Sequence, residues 1–137
     1  MTLKLLGWER NLIEYLREVS AQSFRPGELD CAMFFGGAML AMTGRDYLEP
    51  WKGKYRTIEQ AMEMLSEKGF ADHIEYVASY LPELPSPLMA QRGDCAVVRD
   101  VEGNPALGVV QGENIYVMTL NGLSMTKLET AIRAFRV

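Results

Sequence analysis

The chain has 137 residues, 48% of them hydrophobic and 23% charged, with a formal net charge of −4. That length and balance suit one folded domain with a real core and argue against a disordered segment; the acidic balance disfavours wholesale phosphate or nucleic-acid binding. No apolar run is long enough to span a bilayer, and the first residues lack a signal peptide's apolar core, so the expectation is a chain made and folded in the cytoplasm, with no membrane partner.

Trp8, Leu12, Tyr15, Leu16 and Val19 recur at helical spacing, and this first helix is expected to end near Ser20 to Ser23. Arg25-Pro26-Gly27 reads as a loop, and Asp30 stands where a helix N-cap belongs. The next segment, Cys31 to Met42, is almost wholly apolar and rich in small residues (Gly36, Gly37, Ala38), the pattern of a buried central helix; Thr43-Gly44 ends it. Residues 45 to 56 form an aromatic-rich loop. Thr57 caps a third helix running through Lys68, with Gln60 placed to close a capping box, and Asp72 to Tyr80 is a short fourth helix stopped by Pro82, Pro85 and Pro87.

The period then changes. Asp94 to Arg99, Leu107 to Gln111, Asn114 to Met118, Ser124 to Lys127 and Ala134 to Val137 read as short strands separated by glycine-containing turns. Helices first and an antiparallel meander second indicate an α+β fold, one domain over 1–137 with a helical half about 1–81 and a sheet half about 92–137.

The candidate for chemistry is Cys31. A thiol at a helix start feels the positive end of the helix dipole, which favours thiolate and makes a nucleophile. The plainer alternative is a small side chain buried on an apolar helix. Cys95, in Asp94-Cys95-Ala96-Val97-Val98, reads as a core strand residue; a Cys31–Cys95 disulfide is conceivable, though a reducing compartment argues for two free thiols. Cys31, Cys95, His73 and the scattered carboxylates have no zinc-type spacing, so neither a metal nor a cofactor is expected. His73, the chain's one histidine, reads as an exposed helical residue beside Asp72, off the strand expected to face the sulfur; the alternative is that it substitutes as the base for Cys31.

Asp30-Cys31-Ala32 opening a central helix, Arg92-Gly93-Asp94 entering a strand, and Ala106-Leu107-Gly108-Val109-Val110 along the next resemble, in that order, the NlpC-type cell-wall peptidases of the papain-like cysteine peptidase superfamily. The resemblance spans roughly Phe24 to Met118. It implies a papain-like fold and a nucleophile at Cys31. It also implies a catalytic histidine where Ala106 stands, and alanine can take no proton. The polar residue that would orient the imidazole has at best Thr119 as its counterpart.

Three readings follow. Ranked first is a catalytically inactive NlpC-like module of phage-tail or prophage origin, virion-associated, with phage-tail proteins as partners. The second is an active thiol hydrolase or acyltransferase acting on cell-wall peptide through Cys31 with an unusual base. The third is a glycan or small-ligand binder using the old cleft, with Asp30, Trp51, Tyr55 and Asp94 as candidate binding residues and the 45–56 loop as its rim. For that loop the plainer reading is a segment pinned to the core by Trp51 and Tyr55.

Overall fold

The computed structural model describes residues 3–137. Four α-helices come first: α1 (Trp8–Ser20), α2 (Cys31–Thr43), α3 (Ile58–Glu67) and α4 (His73–Ala78). Five strands follow: β1 (Cys95–Arg99), β2 (Pro105–Gln111), β3 (Asn114–Thr119), β4 (Gly122–Lys127) and β5 (Arg133–Phe135), in one antiparallel sheet. The fold is α+β, as the change of period indicates. No helix among the described residues is long and apolar enough to cross a membrane.

The sheet departs from a simple meander. Its order is β4-β3-β2-β1-β5, so the last strand crosses to the far edge and pairs with β1, not with its predecessor β4. The buried carboxylate of Asp94 accounts for that return. It accepts the backbone N–H of Val137 at 3.1 Å and the Arg136 guanidinium at 3.1 Å, and it also takes the Gln91 N–H at 2.8 Å. A carboxylate 1% exposed at the start of β1 is tenable only with such partners. Its place in the Gly-Asp motif is therefore to hold the C-terminus on the sheet.

α2 lies at the centre, packed on α1 and on the sheet. Phe34, Phe35, Ala38, Met39 and Met42 are fully buried, which is why the segment is apolar on every side. α1 approaches so closely that a Cβ at Gly37 would sit 2.2 Å from the Tyr15 hydroxyl oxygen, which itself donates to the Phe34 carbonyl at 2.8 Å. Asp30, Thr57 and Asp72 each cap a helix by accepting the N–H three residues on, from Met33, Gln60 and Glu75. The Gln60 side chain reaches back to the Arg56 N–H instead of that of Thr57, so the capping box closes one residue early.

The aromatic loop is pinned. Trp51 packs edge-on against Tyr76 of α4 with centroids 5.1 Å apart, Tyr76 donates to the Tyr47 carbonyl at 2.8 Å, and Tyr47 stacks on Tyr80. Trp51 and Tyr55 are both buried. The loop thus forms the seat on which α4 rests.

Candidate active site

Two short polar dipeptides, Asp30-Cys31 and Asp72-His73, begin helices in the same way. In each the aspartate caps the helix and the next residue is its first member. The fold turns these two helix starts toward each other, and Cys31 Sγ lies 3.8 Å from His73 Nε2. The expectation of an exposed histidine remote from the sulfur is corrected by this contact. His73 is half-buried, and it reaches the thiol from α4, not from a strand. Periodicity could not show this, because the 42 residues between the partners are brought together only by the packing of α4 beside β2.

The Pro105 backbone on β2 lies near enough to the imidazole to favour its charged form, and the Nε2 that faces the sulfur can serve as acceptor or donor according to the ring's tautomer. Pro105 precedes Ala106 on β2, and Ala106 is buried in the apolar cluster against which Cys31 packs. Thr119 has no part in this, since its hydroxyl donates to the Gly122 carbonyl in the β3–β4 turn.

The expectation of a resting thiolate is also corrected. Burial pushes the Cys31 thiol up to about 12, with the Asp30 and Asp100 carboxylates adding to the shift; the backbone N–H groups of Leu107 and Ala32, which reach the sulfur, oppose it without winning. Burial likewise holds the His73 imidazole below its ordinary value, against the upward pull of Asp72, Asp30 and the Pro105 backbone. Both shifts favour the neutral forms, so the resting pair is thiol and imidazole. In a His73→Ala protein, alkylation of Cys31 by iodoacetamide is accordingly expected to be slow at pH 7 and to rise about tenfold per pH unit up to pH 10, as the small thiolate fraction grows. Mass spectrometry of the two cysteine peptides would measure it, and a plateau below pH 9 would contradict this assignment. Cys95, free and 0% exposed, should stay unlabelled while the protein is folded.

Asp30 holds the backbone around Cys31. Its Oδ1 accepts the Met33 N–H at 2.9 Å, and its Oδ2 accepts the Gly27 N–H at 3.0 Å and the Tyr55 hydroxyl at 2.5 Å. Gly27 must be glycine: its φ is 81° and a Cβ would meet the Tyr55 carbonyl oxygen at 2.2 Å. Asp30, Trp51, Tyr55 and Asp94, expected as binding residues, are thus all buried and engaged internally; none forms the rim of a cleft. With Asp30 serving Met33 and Gly27, and the Ala32 N–H on the sulfur, the Cys31 N–H has no protein acceptor among the described residues.

An open hollow of about 210 Å³ lies between Gln22–Phe24 and Leu120–Gly122, and neither Cys31 nor His73 lines it. Phe24 stands next to the Arg25–Leu29 loop, which closes on itself by paired backbone bonds just before Asp30 and Cys31. Among the described residues, no group of three His, Cys, Asp or Glu side chains is arranged to hold a metal ion.

A family model covers nearly the whole of this architecture, residues 4–137. The chain belongs to the family described as a domain of unknown function, DUF6950. The DUF6950 match takes in both Cys31 and His73 and all five strands. Comparison with curated proteins finds no match.

Proposed function

We propose that the protein is a cysteine-dependent amide hydrolase or acyltransferase acting on peptides, with Cys31 as nucleophile and His73 as general base and acid. The observation that carries this reading is the 3.8 Å approach of Nε2 to Sγ. The case for an inactive module rested on a thiol with no base in reach, and that premise is gone. The Asp-Cys-Ala, Gly-Asp and strand motifs support an NlpC-type, papain-like reading in which the base has moved from strand to helix, and with it a cell-wall peptide as substrate class.

The chemistry follows from the neutral resting pair. As Sγ attacks the substrate carbonyl carbon, its proton passes to Nε2 and the C=O π pair moves onto oxygen, where the Cys31 N–H can donate to it. Collapse expels the amine, which takes the proton from His73 and leaves a thioester. Water, or an amine in acyl transfer, then attacks the thioester carbon and gives its proton to Nε2; the thiol leaves and recovers that proton. Because the proton moves with the attack, a thiol near pKa 12 is no obstacle at neutral pH.

The test uses p-nitrophenyl acetate and purified muropeptides. The expected result is a stoichiometric burst of nitrophenolate with an acetyl group on Cys31, and release of new amines from muropeptides, both lost in Cys31→Ala. No burst and no acetylation from the folded wild type would overturn the proposal in favour of a non-catalytic module.

A further inference from the structure

α4 has six residues, too few to hold a helix by its own hydrogen bonds, yet its first residue must keep an imidazole within reach of a sulfur. Its inner side is buried through Ile74, Tyr76 and Val77. Its outer side is tied by one group. Arg133 of β5 donates from Nη1 to Glu75 Oε1 at 2.8 Å, and from Nε and Nη2 to the two carboxylate oxygens of Glu83 at 3.0 and 2.8 Å. Its guanidinium also lies 5.2 Å from the Phe135 ring centroid. The bidentate fork fixes the plane of the guanidinium, leaving Nη1 aimed at Glu75, two residues from His73.

We infer that Arg133 is a positioning residue for the base: through Glu75 it clamps α4, and with it the His73 ring, to the sheet on which α2 and Cys31 pack. This rests on the Cys31–His73 reading above. An exposed ion pair contributes little to stability, so the clamp's effect falls on geometry. A displacement of about 1 Å at a reacting group can cost on the order of 100-fold in rate, and the sulfur–nitrogen distance is already long.

The chain has one histidine, so its Cε1–H proton resonance reports this ring alone. The groups facing it are Asp72 of its own cap, Asp30 and Cys31 at the start of α2, and the Pro105 backbone. In the full-length protein, Glu75→Ala and Arg133→Ala are each expected to raise the His73 titration midpoint toward 6.5 as the ring loosens into solvent. Each should slow the nitrophenyl acetate burst at least tenfold, with Arg133→Lys intermediate. Should Arg133→Ala fail to fold, Glu75→Ala carries the test, its side chain being 48% exposed. Unchanged midpoint and burst in a folded Glu75→Ala protein would overturn the role of Arg133. Cys31→Ala in the same spectra separates the two ideas. If it leaves the His73 resonance unmoved, the dyad itself fails; if it shifts the resonance while Glu75→Ala changes nothing, only the clamp fails.

Discussion

Replacing His73 with alanine is expected to slow acylation of Cys31 by about 10²- to 10⁴-fold at pH 7, the usual worth of a positioned base. The form of the loss is more telling than its size. Wild type carries a neutral imidazole at pH 7, because burial holds His73 below its ordinary value. Its rate should be flat above about pH 6.5 and fall only as acid protonates Nε2. Without the imidazole the reaction depends on thiolate, and the Cys31 thiol is pushed up to about 12. The His73→Ala rate should therefore climb about tenfold per pH unit and approach wild type only in strong alkali. Stopped-flow measurement of the nitrophenolate burst from pH 5 to 10 checks both limbs. Parallel profiles for the two proteins would mean that His73 is not the base.

Asp30→Ala is expected to destabilise the fold by about 3–5 kcal/mol. Three losses combine. The N-cap of α2 contributes about 0.5–2 kcal/mol, and removing the carboxylate strands the buried Gly27 N–H and Tyr55 hydroxyl at about 1–3 kcal/mol each, with partial relaxation. For a domain of this size the thermal midpoint should fall on the order of 10 °C. Tyr55→Phe removes one donor and leaves Asp30 two others, so it should cost only about 1–2 kcal/mol. Urea unfolding followed by fluorescence of Trp8 and Trp51 measures both. A cost below about 1 kcal/mol for Asp30→Ala would show that the carboxylate does not hold the loop to the helix. The same substitution should reduce the burst rate even where the protein remains folded, because Asp30 fixes the backbone from which Cys31 projects.

The two sites of expected loss differ in how legible they were. Asp30-Cys31 could be read directly: a capping residue, a thiol after it and an unbroken apolar run are local facts, and a helix start imposes its own hydrogen-bonding demands on neighbouring residues. Asp72-His73 repeats that pattern, and the repetition was the one signal in the chain that could have drawn attention to the histidine. It is a weak signal, since a capped helix beginning with histidine is ordinarily a surface feature. Trp51 and Tyr55 show the converse. Their residue types suit stacking on a ligand equally well, and only burial, with Tyr55 on Asp30 and Trp51 on Tyr76, assigns them to the frame.

Taken by itself, the order of residues determined what depends on near neighbours: four helices, three of them with side-chain caps, five strands, the buried character of α2, and a cysteine at its first residue. Tertiary structure alone decided the return of β5 to β1 through Asp94, the delivery of His73 to the sulfur, and the protonation of the pair. Each of these is set by groups far apart along the chain, 42 residues for the dyad and 43 for Asp94 and Val137. The thiol's state belongs with them: a helix dipole is a local property that favours thiolate, whereas desolvation comes from everything packed around the sulfur, and here desolvation is the stronger.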